Sequence, residues 1–191
     1  MSKAGTRDDV FNLASLIAEI EAQRTFKYVY FWGDKGPADQ AGPFVLSQWR
    51  VPASFTLDGI TYPTAEHYMM AEKARLFGDE ATRAKVLAAS SPGAAKALGR
   101  EVSGFDDAVW EHHRFDIVVA GSTAKFAQNP ALRTYLLETG SKVLVEAAPN
   151  DTVWGVGLAR DDERILDPRT WRGLNLLGFA LMKARAALRV A

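Results

Sequence analysis

Apolar residues recur at helical spacing along most of the chain and predict six or seven helices. The predicted helices cover 7–21, 63–77, 79–89, 92–98, 107–128, 130–138 and 174–188. Residues that favour helix N-caps precede three of them: Thr6, Ser91 and Asp106.

Four short runs rich in aromatic and β-branched residues predict strands. Two of them, 55–57 and 60–62, flank Asp58-Gly59, a strong hairpin signal. The others are 28–32 and 142–147, and strands do not alternate with helices. The order predicts an α+β, predominantly helical single domain with a small antiparallel sheet.

Composition narrows the class of protein. The 191 residues suit one domain, and 23 basic against 23 acidic residues exclude the broad basic footprint of a tight nucleic-acid binder. The absence of cysteine excludes disulfides, thiolate zinc sites and a cysteine nucleophile. No long apolar stretch or signal-peptide pattern is present, so we expect a cytoplasmic protein without a membrane span.

The helix that begins near Pro63 carries a possible site face. Glu66 lies in its first turn, where free N–H groups favour a carboxylate, and Lys73 follows two turns later on the same side. The two residues form either a solvated surface pair or a catalytic carboxylate beside a cation.

The long helix over 107–128 offers an aromatic residue and a guanidinium four positions apart. Trp110 and Arg114 are consistent with the edge of a core, and equally with a stacking platform beside a phosphate ligand.

Loop residues 150–157 contain Asp151, Trp154 and two glycines, which suit either a pocket wall or an Asx turn with an anchoring tryptophan. Asn175, at the start of the last predicted helix, is either a cap or a ligand donor.

Three histidines without cysteine, in a spacing unlike HExxH, argue against a catalytic metal. No dinucleotide, P-loop or kinase motif occurs, and no cofactor is expected.

Several segments, taken in order, resemble the YbiA-like family, also called NADAR for its suspected link to NAD and ADP-ribose. The resemblance runs from about residue 30 to residue 188 and leaves 1–25 as an N-terminal helical extension to a domain over 26–191. A departure is Leu46-Ser47-Gln48-Trp49, where many relatives have Phe-Ser-Asn-Phe. The segments are 44–49, 62–73, Trp110 with Arg114, 125–129, 136–140, 144–146, 150–157 and 175–182.

This resemblance implies a hydrolase of N-glycosidic bonds and favours a pocket formed by Glu66, Trp110, Asp151 and Trp154. Within that pocket, we interpret Glu66 and Asp151 as the catalytic carboxylates. The implied substrates are riboflavin-pathway ribosylaminouracil phosphates, or alternatively ADP-ribosyl guanine in nucleic acid. Trp110 and Trp154 would hold the base, and Arg114, Lys73 and Asn175 the rest of the substrate. Lys73 would bind phosphate or attack the opened sugar as a Schiff-base amine. A non-catalytic module that binds ADP-ribose or NAD is the alternative from another class.

Overall fold

A computed structural model describes residues 10–37 and 39–190 of the chain. In this part, seven α-helices and four short strands confirm the predicted α+β, predominantly helical fold. The helices are α1 (Leu13–Glu21), α2 (Ala65–Leu76), α3 (Glu80–Leu87), α4 (Pro92–Gly99), α5 (Asp107–Gln128), α6 (Pro130–Glu138) and α7 (Leu176–Val190). The strands are β1 (Tyr28–Phe31), β2 (Phe55–Leu57), β3 (Ile60–Tyr62) and β4 (Val143–Glu146).

Side-chain caps set the beginnings of the central helices. Thr64, Asp79, Ser91 and Asp106 each accept a hydrogen bond from the backbone N–H three residues later. Each cap satisfies one of the N–H groups that the first turn leaves without a partner. These helix starts therefore follow from local sequence.

The first helix begins later than its apolar spacing predicts. It starts at Leu13, where Asn12 and Ser15 satisfy each other's backbone N–H groups in a capping box. The predicted cap, Thr6, lies outside the described residues. Leu16 of α1 is fully buried in the shared hydrophobic core, and a separate role for residues 1–25 stays a prediction.

Only half of the strand pairing is antiparallel. Strands β2 and β3 form the predicted hairpin, with Asp58 at φ 51° and Gly59 at φ 77°. Strands β1 and β4 pair in parallel, from Tyr28 opposite Val143 to Phe31 opposite Glu146, so the expectation of one antiparallel sheet is wrong for them. Most of the chain separates these strands, and no local turn fixes their direction.

Helix α2 occupies the centre of the fold, in contact with α3, α4 and α5. Every residue from Ala65 to Ala71 is buried, including Glu66 and His67. His67 hydrogen-bonds with Thr64 Oγ1 (2.8 Å) and the Ala89 carbonyl oxygen (3.1 Å), so both ring nitrogens have structural partners. Glu66 therefore reaches the interior because its whole helix does.

The segment after β4 returns across the end of that strand and leads into α7. A Cβ on Gly173 would lie 2.3 Å from the Gly155 carbonyl oxygen, and one on Gly155 would lie 3.0 Å from that of Glu146. Only glycine allows backbones to approach this closely. The return fixes the loop over 150–157 against the carboxyl end of β4.

Candidate active site

A cavity of about 430 Å³ lies between α2, α4, α5 and the loop after β4. Its volume is in the range of small-ligand sites. It brings together six of the seven residues proposed from sequence: Glu66, Lys73, Trp110, Arg114, Asp151 and Trp154.

Glu66 is a buried carboxylate in the wall of this cavity. Its residue is 3% exposed, and Oε1 has no hydrogen-bond partner. Its backbone N–H donates to the Gln48 carbonyl oxygen at 3.1 Å, which ties the start of α2 to the segment that follows the 3₁₀ turn Pro43–Leu46. The solvated-surface interpretation of Glu66 is therefore wrong.

Burial raises the pKa of the Glu66 carboxyl to about 7, and Asp151 adds to this effect. Lys96, the Trp49 side chain and Arg100 oppose it. Near neutral pH the carboxyl is thus close to the midpoint of its titration. Such a group stabilises a positive charge or moves a proton at physiological pH.

Asp151 combines both roles that its loop sequence allows. Its Oδ1 accepts hydrogen bonds from the N–H groups of Val153 (2.9 Å) and Trp154 (2.7 Å), with a longer one from Gly155 (3.5 Å). The same side chain lines the cavity. Asp151 therefore shapes the loop that presents Trp154 and also places a carboxyl group in the cavity wall.

Three tryptophans line the cavity, of which sequence analysis singled out two. Trp110 of α5 is 9% exposed, whereas Trp154 in the loop is half-buried. Lys96 Nζ lies over the ring of the third, Trp49, at 5.8 Å from the ring centroid. Aromatic faces beside cations suit a planar, electron-poor or charged ligand.

Lys73 is partly desolvated in the cavity wall. Its Nζ donates to the Gly99 carbonyl oxygen at 2.8 Å and lies 4.0 Å from the Phe105 ring centroid. Burial lowers the pKa of the Lys73 ammonium, and Asp107 acts in the opposite direction. Arg114 also lines the cavity and forms an ion pair with Glu111 at 3.3 Å.

Asn175 is the predicted site residue that the structure places elsewhere. It precedes α7 with φ at 53° and is fully buried outside the cavity lining. Its Oδ1 accepts from the Glu146 N–H at 3.0 Å, and its Nδ2 donates to the Leu144 carbonyl oxygen at 2.8 Å. Asn175 therefore joins α7 to β4, rather than capping a helix or facing a ligand.

Buried Lys125 holds the segment that supplies Gln48 and Trp49. Its Nζ donates to the carbonyl oxygens of Val45 and Ser47, both at 2.8 Å. Burial lowers the pKa of Lys125 to about 7. These bonds fix the cavity wall before any ligand arrives, which reduces the cost of ordering it on binding.

Sequence reasoning missed four charged or aromatic residues of the cavity: Trp49, Lys96, Arg100 and Glu146. Lys96 of α4 and Arg100, the residue that follows this helix, are four positions apart and therefore lie on the same side. Nothing local in the sequence indicated which neighbour that side would meet. Glu146 ends a fully apolar run, Val143-Leu144-Val145, and that interruption was the available signal.

Among the described residues, no group of three or more His, Cys, Asp or Glu side chains is arranged to hold a metal ion. Over the same residues, none of the helices has the length and hydropathy that crossing a bilayer requires.

The family model of the NADAR domain matches residues 30–189. The chain belongs to the NADAR family. The match begins after α1, and it contains every residue of the cavity described above.

Relatives of this NADAR chain include N-glycosidase R617 of Acanthamoeba polyphaga mimivirus, which is 45% identical over 166 residues. That alignment covers 84% of this chain and 96% of the viral protein. N-glycosidase YbiA of Escherichia coli is 36% identical over 134 residues, covering 70% and 75% of the two chains. The NMR structure of E. coli YbiA matches with a TM-score of 0.69 at 30% identity, over 87% of this chain and 88% of that one.

The chloroplastic riboflavin biosynthesis protein PYRR of Zea mays is 35% identical over 140 residues, which cover 69% of this chain but 20% of the maize protein. At these identities and coverages, the viral and bacterial relatives place this NADAR chain among the N-glycosidases, which are hydrolases of N-glycosyl bonds.

Proposed function

We propose that this protein hydrolyses the N-glycosidic bond between a base-like amine and a phosphorylated ribose, with ribosylaminouracil phosphates as its substrates. The observation that carries the proposal is Glu66, a buried carboxyl with a free Oε1 in a cavity that also holds tryptophans and cations. The similarity to a protein of riboflavin biosynthesis supports this choice of substrate.

Cleavage of the bond between C1′ and nitrogen leaves positive charge on C1′ and the ring oxygen in the transition state. A carboxylate fixed beside C1′ stabilises that charge more strongly in a desolvated site than in water. We assign this role to Glu66, and we assign Asp151 to orient the attacking water. The oxygen of the attacking water forms a bond to C1′, and the departing nitrogen takes up a proton.

The remaining cavity residues suit the two ends of such a substrate. The rings of Trp110 and Trp154 would stack on the uracil-like base, with Arg114 and Lys73 at the phosphate. The Arg114 guanidinium offers paired donors for phosphate oxygens, whereas Lys73 acts as a point charge.

Lys73 also has a second possible role. A Schiff base with the opened sugar needs a neutral amine, and the desolvation that lowers its pKa favours that form. The two roles of Lys73 predict different effects of a Lys73→Arg substitution, because arginine binds phosphate but forms no Schiff base.

The test is incubation of the purified protein with ribosylaminouracil phosphate, with ribose 5-phosphate and the free amine measured together. Equal release of both products supports the proposal. Glu163→Gln, an exposed carboxylate outside the cavity, is the matched control for Glu66→Gln.

Two parallel arms separate the alternatives. An oligonucleotide carrying ADP-ribosylated guanine reports whether ADP-ribose is the released group instead. Calorimetry with ADP-ribose and NAD reports binding without turnover. Binding in the absence of any released product from either substrate would replace the enzyme with a binding module.

A further inference from the structure

Glu146 is a second carboxyl in the cavity, and the mechanism above does not use it. It is the last residue of β4 and follows three fully buried apolar residues, Val143, Leu144 and Val145. Its side chain lines the cavity, yet its Oε2 is buried without a hydrogen-bond partner. A buried carboxyl oxygen with no partner is costly, and such groups occur where function needs them.

The backbone of Glu146 is fixed on both sides. Its N–H donates to Asn175 Oδ1 at 3.0 Å. Its carbonyl oxygen accepts from the N–H groups of Ala148 (2.9 Å) and Val156 (3.0 Å). The side chain therefore projects from a rigid position, and little movement is needed to bring it to a substrate.

The charges around Glu146 come from each element that forms the cavity. Burial is the largest influence and raises the pKa of its carboxyl to about 8, with Asp151 and Glu66 adding to the rise. Lys96 of α4 opposes it. The other cations in the cavity wall are Lys73 of α2, Arg100 after α4 and Arg114 of α5.

The pKa of Glu146 is raised further above its ordinary value than that of Glu66, because only Lys96 opposes the effect of burial at Glu146. Glu146 therefore keeps its proton to higher pH than Glu66 does. Two carboxyl groups whose environments separate their protonation states are the usual arrangement of an acid and a stabilising anion. Asp151 is less suited to donate a proton, because its Oδ1 already accepts from the N–H groups of its own loop.

We propose that Glu146 is the catalytic proton donor to the departing nitrogen, an inference that rests on the proposed N-glycosidase reaction. The bond between C1′ and nitrogen breaks with its electron pair on nitrogen, which takes the proton from the Glu146 carboxyl. Water then bonds to C1′, and its released proton goes to the Glu66 carboxylate. Exchange with solvent returns the proton to Glu146 and ionises Glu66 again.

The test is the pH dependence of kcat/KM for the wild type and for Glu146→Gln, which keeps the size and backbone bonds of the residue but has no carboxyl proton to donate. Wild-type kcat/KM, which reports ionisations of the free enzyme, should fall as pH rises through about 8, the pKa of Glu146. Loss of a general acid costs roughly 10²- to 10⁴-fold, so Glu146→Gln should lose at least 10²-fold at pH 7. Its residual activity should lack the decline on the basic side.

Glu163→Gln is the control and should retain both the rate and the pH profile of the wild type. Glu66→Gln should lose activity but keep a decline on the basic side, because Glu146 is intact. That decline should lie at somewhat lower pH, because Glu66 no longer raises the pKa of Glu146. The melting temperature of each variant shows whether it is folded. The wild-type profile is a second measurement that needs no variant.

Three results would overturn the proposal while leaving the N-glycosidase function in place. They are a wild-type profile without a basic decline, a Glu146→Gln variant that keeps more than half of the activity, and a decline that persists unchanged in that variant. A wild type that releases no amine from any N-ribosyl substrate would instead refute the proposed function, and the role of Glu146 with it.

Discussion

Replacement of Asn175 by alanine tests whether this residue stabilises the fold or contacts ligand. The side chain bonds two backbone groups of β4, the Glu146 N–H and the Leu144 carbonyl, and is fully buried. The Asn175→Ala variant leaves both groups without partners. It also places alanine at φ 53°, which asparagine tolerates better.

The expected loss of stability follows from these three effects. Each buried backbone group left without a partner costs about 1–3 kcal/mol. Left-handed backbone adds about 1–2 kcal/mol for alanine. The sum is about 3–8 kcal/mol, and each 1 kcal/mol lowers Tm by roughly 2–4 °C in a domain of this size. Asn175→Ala should therefore melt at least roughly 6 °C below the wild type.

The assay is thermal unfolding, together with ligand affinity measured well below Tm. Asn175→Gly is the matched control, because it removes the same two hydrogen bonds without the backbone strain, and it should melt above Asn175→Ala. If Asn175→Ala melts within about 2 °C of the wild type and binds ligand much more weakly, the side chain serves the ligand and our interpretation is wrong.

Further predictions concern the tryptophans, Lys73 and the stability of Glu66 variants. Trp154→Leu should weaken ligand binding by roughly tenfold to a hundredfold, since stacking on a base is worth about 1–3 kcal/mol. Trp154→Phe should keep part of that stacking energy. Trp110→Leu should also lower Tm, because Trp110 is 9% exposed and its loss leaves a cavity. Unchanged affinity per folded molecule would assign that tryptophan to the core. Lys73→Arg should keep most activity if Lys73 binds phosphate, and should abolish activity if Lys73 forms a Schiff base. In the second case, borohydride treatment of the wild type with substrate would trap a covalent adduct. The pKa of Glu66 rises from 4.5 to about 7 on folding, so its stabilising contribution is full below pH 4.5 and is lost as pH rises through 7. Relative to the wild type, the free energy of unfolding of Glu66→Gln should rise by up to about 3 kcal/mol between pH 4 and pH 9. A difference in Tm that stays constant over this pH range would contradict the prediction.

The sequence predicted those parts of the fold that local chemistry determines. Ser91 begins α4 through its own side chain, and Asp58-Gly59 forms the β2–β3 turn with both residues at positive φ. The helix that carries Trp110 was also correct from Asp106 to its last residue. Each of these features depends on neighbours within four positions of the chain.

Features that depend on distant partners could not be predicted in the same way. The parallel direction of β1 and β4 is set by the packing of all that lies between them, and it puts Glu146 at the same edge as the end of β1. Asn175 is of a residue type that often caps helices, but its side chain bonds to backbone groups about 30 positions earlier in the chain. Lys96 enters the cavity only because α4 packs on α2.

The carboxylates show the same division. Glu66 was recognisable as a candidate site residue from its place in the first turn of a helix and from the family motif. Its burial and raised pKa come from the contact of α2 with three other helices. The sequence therefore indicated the residue, and the structure supplied the physical reason for its chemistry.

The most direct test of the account is kcat of Glu66→Gln for the substrate from which the wild type releases ribose 5-phosphate. The substitution keeps the shape of a side chain that is 3% exposed and removes only its ability to carry charge. Loss of one electrostatic stabiliser costs roughly 10²- to 10³-fold, so we predict a fall of at least 10²-fold with Tm at pH 8 equal to or above that of the wild type. A variant that keeps more than half of the wild-type kcat would contradict the central role of Glu66.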